Sequence, residues 1–127
     1  MEEYKEIRIV SSNKNIIQDF EDLFLGYKDK FQIKDDIYFK IMVAVTEGIN
    51  NAAGHGNKFN PDKNVSVELV GNGNYMKCSI TDEGLGFNPE NLLKDNGRGV
   101  FLMRELANEF YVYNLENGTL VELVFNF

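Results

Sequence analysis

Cysteine, histidine, proline and positive charge are all scarce in this chain of 127 residues. Its one cysteine, Cys78, has no internal partner for a disulfide and is too few for a cysteine-rich zinc site. Its one histidine, His55, would have to anchor any serine-hydrolase triad, and no Gly-x-Ser-x-Gly turn accompanies it. The two prolines, Pro61 and Pro89, fall in polar stretches that read as loops. Lys and Arg total 13 against 20 Asp and Glu, a net charge of −7. Without a basic field to attract phosphate backbones or anionic lipid, neither nucleic acid nor membrane is expected as a direct partner. No apolar run approaches the ~20 residues that span a bilayer. The acidic start, Met1-Glu2-Glu3-Tyr4, lacks the basic head and apolar stretch of a signal peptide, so the expected location is the cytoplasm. No repeat, low-complexity tract or linker interrupts the chain, and residues 1–127 read as a single domain. A chain of this size buries about two-thirds of the surface its unfolded form exposes. Its 43% hydrophobic and 26% charged residues argue against wholesale disorder.

The hydrophobic pattern alternates between two periods. Ile7-Arg8-Ile9-Val10 closes a first strand over residues 4–10. Ile16, Ile17, Phe20, Leu23, Phe24 and Tyr27 recur at three- and four-residue spacings, which predicts an amphipathic helix from Asn13 to Lys30. A second helix is expected from Asp35 to Gly54, with Asp35 or Asp36 as its cap and Ile37, Tyr38, Ile41, Met42, Val45, Ile49 and Ala52 as its apolar stripe. Residues 57–64 read as a loop. Val65, Val67 and Leu69, then Met76, Cys78 and Ile80, alternate with polar residues as strands around a Gly71-Asn72-Gly73-Asn74 turn. A Gly- and Asn-rich loop over Gly84 to Gly97 leads to a third helix, from Arg98 to Asn108. A closing hairpin, residues 110–114 and 119–125, turns at Asn117-Gly118. The order β-α-α-β-β-α-β-β favours a two-layer α/β sandwich, because so few helices cannot cover both faces of the sheet.

Four short stretches carry candidate chemistry. On the second helix, residues four apart lie about 40° apart around the axis, so Glu47, Asn51 and His55 share a face, with the apolar stripe centred about 160° from Glu47. A carboxylate one turn before an amide suits a general base beside a hard oxygen ligand for magnesium, and equally suits a solvated helix face. Asp82 continues the inward alternation of Met76, Cys78 and Ile80. A carboxylate there needs a donor, such as an adenine amino group, while Gly84 and Gly86 let the backbone approach a flat ring. A plain Asp-Gly turn gives the same letters. Gly97-Arg98-Gly99 opens the third helix, where free N–H groups and an arginine fork suit an anion. Thr119 shares parity with Val121, Leu123 and Phe125, so its hydroxyl faces the core side and can bond an adenine directly or through water.

Taken in order, these stretches resemble the GHKL superfamily of ATPases and its Bergerat ATP-binding fold. Val45-Thr46-Glu47-Gly48-Ile49-Asn50-Asn51-Ala52-Ala53-Gly54-His55-Gly56 looks like the N box, and Asp82-Glu83-Gly84-Leu85-Gly86 like the D-x-G-x-G box. Gly97-Arg98-Gly99 and Gly118-Thr119 look like the later glycine boxes. Thr46-Glu47 before the asparagine, His55-Gly56 after it, and the short stretch from Leu85 to Asn96 are most similar to the RsbW-type anti-sigma factors with serine protein kinase activity. The resemblance implies an α+β sandwich whose mixed, mostly antiparallel sheet is covered on one face by about three helices. It implies ATP and Mg as cofactors, with Glu47 as catalytic base and Asn51 as magnesium ligand. Asp82, assisted by Thr119, would read adenine. Gly84, Gly86, Gly97 and Gly99 would shape the pocket and lid, Arg98 would meet the terminal phosphates, and His55 would line the phosphate side. The implied partners are a sigma factor, a small anti-anti-sigma (STAS-type) protein that is phosphorylated, and a second copy of the chain. The other reading is a catalytically inactive, nucleotide-gated binding module.

Overall fold

The computed structural model describes residues 3–84 and 99–127. Strand β1 (Tyr4–Ser11) is followed by helices α1 (Ile16–Phe31) and α2 (Asp35–Asn50), and α2 runs on without a break into a π-helical turn, Asn51–Gly56. Strands β2 (Asn64–Gly71) and β3 (Tyr75–Asp82) come next, then helix α3 over 99–106, and finally β4 (Glu109–Leu115) and β5 (Gly118–Asn126). The five strands form one sheet in the order β1-β2-β3-β5-β4. All four pairings are antiparallel, the limit of the mostly antiparallel sheet that was expected. β5 passes between β3 and β4, which puts Thr119 directly opposite Asp82.

The helices cover one face. Val65, Val67 and Leu69 of β2, Met76, Cys78 and Ile80 of β3, and Leu123 and Phe125 of β5 point into a core shared with Phe20, Leu23, Phe24 and Tyr27 of α1 and Ile41, Ala44, Val45 and Ile49 of α2. Burial on this scale is the main force holding the layers together. Gly48 lets α2 sit directly on the sheet: a β-carbon there would lie 2.7 Å from Ile80 Cδ1 and 3.4 Å from the Met103 sulfur. The Tyr27 hydroxyl reaches the β2–β3 turn, 2.7 Å from the Asn72 carbonyl and 2.6 Å from that of Tyr75. The opposite sheet face carries Ile7 and Ile9, which are 56% and 62% exposed. Among the described residues, no helix is long and apolar enough to cross a membrane.

Several local expectations are corrected. Asp35 and Asp36 do not cap α2: Lys34 holds the cap position without a side-chain bond, and the two carboxylates sit in the first turn, where the helix dipole favours them. α-Helical geometry stops at Asn50, not Gly54, and a wider turn finishes the element. The last hairpin turns on Glu116-Asn117, since Leu115 pairs with Gly118 as the first strand residues on either side. Asn108 leaves the third helix to bond the Val124 carbonyl through its N–H, 2.8 Å away.

Candidate functional site

The first part of the site is built at the end of β3. Strand alternation carries Asp82 inward after Ile80, and it is only 7% exposed. Its Oδ1 accepts the Gly84 N–H at 2.9 Å. Burial pushes the Asp82 carboxyl above the usual carboxylate value, while the backbone N–H groups of Gly84 and Thr119 and the charge of Lys63 pull it back. Among the described residues no cation is bonded to it: this is an inward carboxylate with spare acceptor capacity, as recognition of an amino group requires.

Three glycines pack closely around the end of β3. A β-carbon on Gly56 would lie 2.4 Å from Asp82 Oδ2, one on Gly84 would lie 2.2 Å from the Gly56 carbonyl oxygen, and one on Gly118 would lie 1.9 Å from the Asp82 carbonyl oxygen. At Gly84 and Gly118 the obstacle is backbone, so those positions require glycine; at Gly56 it is the Asp82 carboxylate itself, which a side chain would push aside. Thr119, also 7% exposed, lies across from Asp82 in the ladder.

The second part lies earlier on the same helical run, in the last turn of α2 and the first residue of the π-helical turn. A β-carbon on Gly99 would sit 2.9 Å from Glu47 Oε2 and 3.5 Å from Asn51 Nδ2. Glu47, Asn51 and the start of the described part of α3 therefore meet at one place, although they are far apart in the chain. Asn51 Nδ2 is buried with no hydrogen-bond partner among the described residues. A buried N–H donor is costly to leave unpaired, and the partner it calls for is an acceptor such as a phosphate oxygen. Its neighbour Asn50 is exposed, which separates the roles of the two adjacent asparagines. No cluster of three His, Cys, Asp or Glu side chains suited to a metal occurs among the described residues. A magnesium ion held by one amide oxygen and by substrate phosphates fits that donor set, since magnesium keeps most of its shell from water and phosphate.

The π-helical turn joins the two parts. Its i→i+5 bonding, with the Asn57 N–H donating to the Ala52 carbonyl at 2.8 Å, rotates the chain less per residue than an α-helix does. The turn brings Gly56 beneath Asp82 and leaves His55 exposed. His55, expected on the face of Glu47 and Asn51, lies in the π-helical turn and is exposed. Gly86, Gly97 and Arg98 lie outside the described residues. The sequence reading missed Asn57, which is buried beside the Asp82 turn. Its signal was only its place next to Gly56, inside a stretch that read as loop.

Two comparisons bear on this geometry. A family model described as the histidine kinase-like ATPase domain matches residues 16–125. A crystal structure of the RsbU and RsbW domains of a Mycobacterium tuberculosis protein superposes with a TM-score of 0.71 at 14% identity; it covers 97% of this chain, which spans 32% of that one. No curated protein matches the sequence. The structural likeness concerns the fold, whereas the family match spans nearly the whole chain and both ends of the site. The chain belongs to the histidine kinase-like ATPase domain family.

Proposed function

We propose that residues 1–127 act as one unit that binds ATP with magnesium and transfers the terminal phosphoryl group to a serine or threonine hydroxyl of a small regulatory protein. The observation that carries this reading is the pair of contacts made from one helical run: Glu47 and Asn51 against Gly99, and Gly56 against Asp82. Glu47 and Gly56 are nine residues apart on that run, which separates a purine end from a phosphate end.

Asp82 accepts a hydrogen bond from the adenine amino group, with Thr119 alongside. Asn51 gives its amide oxygen to magnesium, which supplies neutralisation of phosphate charge when bound. Glu47 takes the proton of the protein hydroxyl as the new oxygen–phosphorus bond forms; the bond to the β-phosphate oxygen breaks and ADP leaves with its electron pair. Phosphoryl transfer needs mainly this kind of positioning and charge compensation. Gly84, Gly86, Gly97 and Gly99 form the nucleotide cradle, Arg98 meets the terminal phosphates, and His55 serves the phosphate side only by swinging in from solvent. The resemblance of the Thr46-Glu47 and His55-Gly56 stretches to RsbW-type proteins supports a STAS-type anti-anti-sigma protein as the phosphorylated partner, a sigma factor as the sequestered one, and a paired form of this chain.

Incubation with radiolabelled ATP, magnesium and an anti-anti-sigma protein tests the reading. Label on the partner, lost in Glu47→Ala while ATP binding stays within about threefold, is expected. ATP-dependent complex formation without label would assign the nucleotide-gated module instead.

A further inference from the structure

The peptide that joins Asp82 to Glu83 is held at both of its polar ends. Its carbonyl lies against Gly118, where a β-carbon would come within 1.9 Å. Its N–H donates to Asn57 Oδ1 at 2.8 Å. Asn57 is only 1% exposed, and its side chain is fully engaged: Nδ2 donates to Ser12 Oγ at 2.7 Å and to the Asn64 carbonyl at 2.9 Å. Glu83 returns a bond, its Oε1 accepting the Asn64 N–H at 2.8 Å. One amide thus ties together the residue after β1, the end of the π-helical turn, the start of β2 and the end of β3.

The backbone of Asn57 is fixed as firmly. Its N–H bonds the Ala52 carbonyl, and its own carbonyl accepts the Asn60 N–H at 3.0 Å. The next two residues, Lys58 and Phe59, both lie at φ 53°, a left-handed conformation that non-glycine residues avoid. They are kept there in part by the Phe59 N–H, which bonds the Ala53 carbonyl at 2.7 Å. Asn57 therefore sits on a fixed corner, and the rotation of the Asp82–Glu83 peptide follows from it. That rotation sets the backbone from which the Asp82 carboxylate projects over Gly56, the residue just before Asn57.

We infer that Asn57 is a positioning residue: through the Glu83 N–H it aims the Asp82 carboxylate, and so determines which purine the site accepts. The inference rests on the proposed reading of Asp82 as the purine contact. A carboxylate held in one direction accepts a bond from the 6-amino group of adenine and opposes the 6-oxo group of hypoxanthine. A carboxylate free to swing discriminates poorly, because sharp rejection depends on a fixed polar group left unpaired by the wrong ligand. Loss of a merely structural asparagine would instead weaken both nucleotides together.

Calorimetric affinities for ATP and inosine triphosphate at pH 8, with magnesium, separate the two cases. The wild-type chain is expected to favour ATP by at least about tenfold. Asn57→Ala is expected to bring the two affinities within about threefold of each other, chiefly by weakening ATP. Tyr27→Phe, which removes a hydroxyl remote from Asp82, is expected to lower thermal stability and leave the preference intact. If Asn57→Ala does not hold its fold at the assay temperature, Asn57→Ser at lower temperature is read in the same way. A wild-type preference that survives unchanged in the Asn57 variant overturns the positioning role alone. A wild-type chain without preference overturns the purine reading of Asp82, and this role with it.

Discussion

The Asp82 carboxylate rests on the α-carbon of Gly56, with no room for a methyl group between them: a β-carbon on Gly56 would stand 2.4 Å from Oδ2 and 2.9 Å from Oδ1. This contact joins the end of β3 to the end of the helical run that begins at Asp35, and it decides where the inward carboxylate points.

Gly56→Ala should therefore displace the carboxylate. The expected outcome is a folded protein whose ATP affinity falls at least about tenfold, since a fixed hydrogen-bonding group is moved away from its ligand. Circular dichroism checks the fold and calorimetry the affinity. Affinity equal to wild type would mean that the Gly56–Asp82 contact does not set the binding geometry.

Asp82 should also leave a signature in stability against pH. Burial raises its carboxyl in the folded protein above the ordinary value of 3.8. A raised folded value means that the neutral form is favoured by folding. Its contribution is fully present below the unfolded value and is lost as pH rises through the folded one. Without nucleotide, the wild-type stability minus that of Asp82→Asn should decline from about pH 4 upward and level off above the raised value. Parallel curves from urea unfolding would contradict the burial argument. ATP binding should run the other way, weakening as acid neutralises the acceptor.

Among the described residues, Asn51 holds a buried donor with no partner. Asn51→Ala deletes that unsatisfied group, so stability without ligand should stay unchanged or rise by up to about 1 kcal/mol. ATP affinity in magnesium should fall to the level that the wild type shows in EDTA. A large loss of stability, or full retention of the magnesium effect, would remove Asn51 from the metal role.

Much of this architecture was legible in the sequence. Period-two alternation placed β2, β3 and β5 and carried Asp82 inward, because side chains on a strand alternate faces whatever their chemistry. Period-3.6 spacing located α1 and α2 within a few residues. What escaped was decided by tertiary contacts. Gly118 reads as a turn residue beside Asn117, yet the turn closes one residue earlier, and Gly118 is needed where the Asp82 carbonyl approaches it. The π-helical turn has no local signature: residues 51–56 suit an α-helix, and their wider path becomes visible only where Gly56 meets Asp82. Asn57 looks like loop filler because its three side-chain partners lie 7, 26 and 45 residues away. At the site, the spacing of Glu47 and Asn51 was readable on a helix, whereas the π turn that carries His55 was not.

The central claim is that the Asp82 end and the Asn51 end bind a single nucleotide. Calorimetric titration of the wild-type chain and of Asp82→Asn with ATP and magnesium tests it most directly. The account predicts one ATP per wild-type chain and no measurable binding to a folded Asp82→Asn. Absence of binding to the wild type, or equal binding to both, would contradict it.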